Sequence, residues 1–160
     1  MYNFQEYGLK RRTGRKQNKR DIYRLQFKYM DYIDVDIELK KRRTTLCGNS
    51  AIGKSYLYNV IEQYAQEERL ENIICLDIEN VDINDPYYTL EKLKKLKEGL
   101  VIIDQADDIF RAQEIEEYVT YDRDNFYLII GRKYFQQYSE LAKPIITKTK
   151  ISLRYSLNTV

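Results

Sequence analysis

Between Leu46 and Leu57 the chain reads LCGNSAIGKSYL, which spaces Gly48, Gly53, Lys54 and Ser55 as G-x-x-x-x-G-K-S. Glycines at 48 and 53 let the backbone turn tightly round an anion and point its N–H groups inward. A helix opening near Lys54 adds free N–H groups and the positive end of its dipole. The Lys54 ammonium then reaches β- and γ-phosphate oxygens, and the Ser55 hydroxyl ligates Mg²⁺. Gly48, Asn49, Ser50, Ala51, Ile52, Gly53, Lys54, Ser55 and Tyr56 are the candidate triphosphate-binding residues. The second chemical stretch is LVIIDQADD at 100–108. Four apolar residues followed by an acid place Asp104 at the carboxyl end of a buried strand, where open α/β sheets bind ligands. A carboxylate there holds Mg²⁺ through its water shell, so Ser55 and Asp104 are the candidate metal residues. The bland alternative, a Gly-containing turn with an exposed lysine, fits poorly with a strand before the loop and a helix after it.

The elements that must position these groups are legible in the hydrophobic pattern. Tyr23, Leu25, Phe27 and Tyr29, then Ile33, Val35, Ile37 and Leu39, alternate with polar residues and predict a hairpin turning near Asp31. RTTLCG reads as a short strand running into the glycine loop. Leu57, Val60, Ile61 and Tyr64 fall at helical spacing over Lys54–Arg69. NIICLDIE at 72–79 reads as a strand buried on both faces. Leu90, Leu93 and Leu96 lie on one side of a Lys-rich helix ending at Gly99, after a turn at Asn84-Asp85-Pro86. LVIID at 100–104 and NFYLIIG at 125–131 predict further buried strands, DIFRAQEIEEYV one helix, KYFQQYSEL a short helix, and residues 151–157 a terminal strand. Strands alternating with helices imply a parallel α/β sheet flanked by helices, entered through an N-terminal β-hairpin.

On these residues the chain resembles the P-loop NTPases: GNSAIGKS is similar to their Walker A motif and LVIIDQADD to their Walker B motif. The element order resembles the branch with an extra strand between the Walker B strand and the loop strand, closest to STAND and AAA-type ATPases. LIIGR at 128–132 resembles the next strand of that group, which often ends in a polar or Arg-containing sensor. The hairpin at 22–39 resembles, more loosely, the β lead-in of ABC ATPases. The resemblance covers roughly residues 22–135 and implies a P-loop NTPase core that binds ATP and Mg²⁺. It implies roles for Lys54 on the phosphates and for Arg132 as a sensor or a finger for a neighbour's nucleotide. A solvated strand-end arginine is the plain alternative for Arg132.

The chain also departs from that pattern. Where the family places a catalytic Glu after the Walker B acid, this sequence has Gln105. An amide can hydrogen-bond a water but cannot take its proton, and loss of a general base lowers rates by about 10²–10⁴-fold. Asp107 and Asp108, or Asp77 and Glu79, are alternative bases. LSGGQ-like, N/T-K-x-D and D-x-x-G stretches are missing, which favours ATP over GTP and argues against an ABC-type dimer site. A helical lid like that of AAA proteins is not expected within residues 21–160.

Length fits one domain, residues 21–160, behind a basic arm, residues 1–20. The arm carries seven basic residues and one acid, a net of +6, whereas the body is −4 within an overall +2. Residues 8–20 lack apolar periodicity and read as weakly ordered. The cations in residues 10–20 suit nucleic acid, an acidic protein surface, or solvent alone. Cys47 and Cys75 lie in apolar runs and read as core residues, and with no His the two thiols cannot complete a zinc site. No stretch approaches the roughly 18 apolar residues of a membrane span, and no secretory signal follows the basic start, so a cytoplasmic location is expected. Tyr, with 16 copies, accompanies many Lys, Ile and Asn, a composition typical of AT-rich coding in a low-GC bacterium or phage. The expected function is a slow Mg·ATPase, oligomeric or not, in an assembly or DNA-associated process. A non-hydrolysing ATP-dependent switch that docks a protein partner is the alternative, and small-molecule phosphotransfer is weaker, because Arg111 and Arg123 are too scattered to form an Arg lid.

Overall fold

The computed structural model describes residues 8–9, 22–31, 33–47, 53–133, 135, 140–146 and 150–155. Of the loop, Gly48, Asn49, Ser50, Ala51 and Ile52 lie outside the described residues, as do residues 10–20 of the arm. The strands are β1 (Gly8–Leu9), β2 (Tyr23–Tyr29), β3 (Ile33–Leu39), β4 (Arg43–Cys47), β5 (Ile73–Leu76), β6 (Leu100–Ile103), β7 (Phe126–Gly131), β8 (Glu140–Ile146) and β9 (Lys150–Tyr155). The helices are α1 (Lys54–Glu67), α2 (Tyr87–Lys95), α3 (Ala106–Ile109) and α4 (Gln113–Tyr121). All nine strands form one sheet in the order β1-β2-β3-β9-β8-β4-β7-β6-β5. The run β8-β4-β7-β6-β5 is parallel throughout, while β1-β2-β3 and β8-β9 pair antiparallel. The expected α/β class and the leading hairpin are both present.

Parallel strands need helical crossovers, and these cover both faces of β5, β6 and β7. Leu100, Ile102, Phe126, Leu128 and Ile130 face α1, joining Leu57, Val60, Ile61 and Tyr64 in one core. Their sequence neighbours Val101, Ile103, Tyr127 and Ile129 face the other way, into a second core with α2, α3 and α4. Burial on both faces is why these strands read as unbroken apolar runs. The β2–β3 hairpin, by contrast, has one dry face. Leu25 pairs with Ile37 and Phe27 with Val35 on that face, whereas Arg24–Glu38 and Lys28–Asp34 oppose charges on the wet one. The dry face joins the α1 core, where the Phe27 and Tyr64 rings stack with centroids 3.7 Å apart.

Several elements differ from their sequence expectations. Gly8–Leu9 pair with Tyr23–Arg24, so the start of the stretch expected to be weakly ordered carries a strand. The helix expected to run to Gly99 ends at Lys95, with Leu96 already extended (ψ 130°). β5 keeps only Ile73–Leu76 of the expected 72–79 and is buried at its ends alone, because it closes the sheet. DIFRAQEIEEYV is two helices rather than one, broken at Ala112 (φ −78°, ψ 97°). On an unbroken helix Phe110 would point away from the stripe of Ala112, Ile115 and Val119. The break buries all four, and Phe110 meets Phe135 edge-on. The helix expected at 133–141 is a correction at its end: Glu140–Leu141 open β8, and Lys133 and Phe135 are not helical. Pairing of Thr44–Leu46 with Glu140–Ala142, and of β8 with β9, overrides the helix propensity of Glu, Leu and Ala there.

As the terminal strand, β5 exposes an edge, and the Asn80 side chain occupies part of it. Its Nδ2 donates to the Cys75 carbonyl at 3.0 Å and its Oδ1 accepts from the Asp77 N–H at 3.0 Å. These are bonds that a neighbouring strand would otherwise make. No helix among the described residues is long and apolar enough to cross a membrane.

Candidate functional site

The site grows from the shared direction of three adjacent strands. β4, β7 and β6 run parallel, and their register sets Cys47 beside Gly131 and Ile103 beside Ile129. Their carboxyl ends therefore open on the same side, where α1 begins. A cavity of about 190 Å³ lies there, lined by Lys54, Ser55, Asp104, Gln105, Asp107, Asp108, Ile130, Gly131 and Arg132.

Gly53 precedes α1 in the left-handed region (φ 79°, ψ 17°), a conformation glycine adopts without penalty. Its carbonyl accepts the Leu57 N–H at 3.1 Å and so starts the helix. No capping side chain and no acidic residue occupies the first turn of α1. The positive end of the helix dipole is thus left unneutralised by its own turn. Lys54 is 5% exposed, while Ser55 and Tyr56 are exposed on the opening turn. Lys54 and Ser55 line the cavity.

Asp104 follows β6, its N–H donating to the Leu76 carbonyl at 2.8 Å and its Oδ1 accepting the Gln105 N–H at 3.0 Å. Burial pushes its carboxyl above the ordinary carboxylate range. The Gln105 N–H opposes that push, Asp77 adds to it, and Lys54 pulls the other way. Lys54 and Asp104 therefore sense one another across the cavity. A carboxylate that is hard to ionise alone becomes easy to ionise beside a cation.

Gln105 occupies the left-handed region at φ 52°, ψ 47°, which disfavours a residue with a Cβ by about 1–2 kcal/mol. Its carbonyl accepts the N–H groups of Asp108 and Ile109 at 3.0 and 3.2 Å. The kink turns the chain sharply from β6 into α3 and brings Asp107 and Asp108 to the cavity wall. Asp107 sits over Gly131: a Cβ at position 131 would meet its Oδ1 at 2.5 Å and the Phe135 ring at 3.0 Å. Its Oδ2 lies 3.6 Å from Arg132 Nε, and its Oδ1 is buried with no hydrogen-bond partner among the described residues. Arg132 itself is 78% exposed.

The structure thus gathers Lys54, Ser55, Asp104, Gln105 and Arg132 around one cavity, with Gly53 and Tyr56 on the adjoining turn. Two of the alternative bases fall elsewhere. Asp77 accepts Glu79 and Asn80 N–H groups at Oδ1 and the Tyr58 hydroxyl at Oδ2, 2.8 Å away, and neither it nor Glu79 lines the cavity. Burial and this bond raise the Tyr58 hydroxyl, so it stays protonated. Gly131 had no sequence signal beyond its strand-end position, because what requires it is an acid 24 positions away in the chain. Cys47 and Cys75 are free thiols, and burial pushes Cys75 up to about 12, which leaves it unreactive. Among the described residues no group of three or more acid or thiol side chains forms a metal cage. One hydroxyl and one carboxylate suit a Mg²⁺ that keeps waters and takes its remaining ligands from phosphate oxygens. No family model, curated protein or solved structure matches this chain.

Proposed function

We propose that the chain binds Mg·ATP as a minimal P-loop ATPase. The observation that carries this reading is the convergence of Lys54, Ser55 and Asp104 on one cavity at the carboxyl ends of parallel strands, beneath an uncapped helix N-terminus. The strand order adds support, since β7 lies between the loop strand β4 and the acid-bearing strand β6. That is the extra strand expected of the ATPase branch resembling AAA and STAND proteins. In this reading the N–H groups that open α1 face the phosphates, and the Lys54 ammonium neutralises β- and γ-oxygens. Ser55 and Asp104 would hold the Mg²⁺. The metal supplies charge neutralisation on the phosphates. Gln105 offers no base at the usual position, so hydrolysis in this reading is slow or depends on another acid to take the water's proton.

The same Gln105 favours a second reading, a nucleotide-dependent switch that binds ATP without cutting it and docks a partner in that state. The cations in residues 10–20 support an anionic partner in either case, nucleic acid or an acidic protein surface. Equilibrium titration of Mg·ATP against the wild-type chain and Lys54→Ala tests the common element of both. The variant is expected to bind at least tenfold more weakly with its fold intact by circular dichroism. Equal affinity in the two proteins would contradict the proposal.

A further inference from the structure

We infer that residues 10–20 of one copy dock on the connection between β5 and α2 of a second copy, so that chains associate head to tail. The inference narrows the anionic partner of the basic arm to a protein surface, and it does not depend on the nucleotide site.

The surface follows β5, at the carboxyl end of the sheet. Ile78, Tyr87 and Tyr88 are 47%, 60% and 77% exposed there, and the two tyrosine rings meet edge-on with centroids 5.7 Å apart. Large apolar side chains displayed together on one short stretch mark a contact surface, whereas scattered ones do not. Residues 77–88 also hold four acids and no base. Of these, Glu79, Asp82 and Asp85 are exposed and form no ion pair among the described residues. The platform is already shaped. Val81 is buried in the second core with Ile83 packed against it, and the Asp77 and Asp82 side chains accept the Glu79, Asn80 and Asn84 N–H groups. A surface fixed in advance loses little entropy on docking. Tyrosine faces attract guanidinium and ammonium groups, and carboxylates take Arg through paired hydrogen bonds. The matching ligand is a basic peptide.

KRRTGRKQNKR at 10–20 is such a peptide, with seven cations and no acid. Its own chain cannot deliver it to this surface. Leu9 pairs with Tyr23, which pins both ends of the intervening stretch at one place. The pairings across the sheet make β2 run in the same direction as β4, so Tyr23 lies at the amino end, away from the cavity. β1 and β5 are the opposite edges of the nine-stranded sheet, roughly 38 Å apart at about 4.8 Å per strand. Residues 10–22, leaving from and returning to one place, reach at most about 23 Å. The arm therefore meets the acidic surface of another copy. Two different patches make the contact heterologous, so it repeats into a ring or an open chain.

The test is sedimentation velocity of the full chain without nucleotide, over a range of concentrations, in about 50 mM and in about 1 M salt, where the screening length falls to about 3 Å. The wild-type chain is expected to associate at low salt and to dissociate at high salt. Glu79→Lys/Asp85→Lys, and separately Arg11→Glu/Arg12→Glu, are each expected to weaken association at least tenfold. An equimolar mixture of the two variants is expected to form heterodimers, since each keeps the patch the other has lost. A monomeric wild type at low salt, association undiminished in Glu79→Lys/Asp85→Lys, or a mixture that stays monomeric would each overturn the inference. A monomeric wild type that binds a short single-stranded DNA would overturn it too, and would assign the arm to nucleic acid. Should Glu79→Lys/Asp85→Lys fail to fold by circular dichroism, Tyr88→Ala is the second variant, and undiminished association there counts equally against the surface. With no nucleotide present, a failure of the Mg·ATP reading leaves this result unaffected.

Discussion

Asp104 shows how a proposed metal-binding position can work against the stability of the fold. Burial raises its carboxyl above the ordinary value, so the folded chain holds that proton more tightly than the unfolded chain does. Stability is therefore lost as pH rises through the interval between the two values and is regained on acidification. Asp104→Asn removes the charge, and in the nucleotide-free protein its Tm at pH 7 is expected to equal or exceed that of wild type. The gap should narrow as the pH is lowered towards about 4, near the unfolded carboxyl value. Thermal melts of both proteins across that range check the sign, and a gap that widens on acidification would contradict it. The same substitution is expected to weaken Mg·ATP binding, as fits a site whose charge is tolerated for its ligand. Lys54, Ser55 and Asp104 were legible in the sequence, because their chemistry is written in consecutive residues next to a strand. Gly131 was not, since its requirement comes from a carboxylate on another element. The Asp107–Arg132 pair was hidden for the same reason.

At the level of elements, strands buried on both faces declared themselves as apolar runs, and the hairpin declared itself by period two. What stayed hidden was set by pairing or by shared cores. β8 exists because β4 and β9 lie on either side of it, and only its first two residues, Glu140 and Leu141, fell in the stretch that read as a helix. The break between α3 and α4 exists because Phe110 and the Ile115 stripe must enter one core. The β5 edge gives a testable case of local design. Exposed strand edges invite pairing with other chains, and the Asn80 amide occupies the Cys75 carbonyl and the Asp77 N–H. Asn80→Ala is expected to cost about 1 kcal/mol of stability in a thermal or urea melt. It should also increase concentration-dependent self-association in sedimentation velocity. A variant as stable and as monodisperse as wild type would contradict this role.

For the whole molecule, the two cores are served by alternating residues of the same strands, so β6 and β7 couple the α1 side to the α2–α4 side. At the end of these strands away from the cavity, a buried network braces the sheet. Asn125 accepts the Gly99 N–H at 2.9 Å and donates to the Leu96 carbonyl and Asp122, while the Tyr127 hydroxyl donates to Asp122 at 2.5 Å. These bonds tie the strands together at the end opposite the cavity. Ligand binding should therefore stabilise the molecule as a unit. The most direct measurement is the Tm of the wild-type chain with and without Mg·ATP, beside the same pair for Lys54→Ala. At 100 times its Kd the ligand adds about 2.7 kcal/mol, which corresponds to a rise of roughly 5–10 °C for a domain of this size. The account predicts that rise for wild type and its loss in Lys54→Ala. No rise with either Mg·ATP or Mg·GTP at millimolar concentration would contradict it.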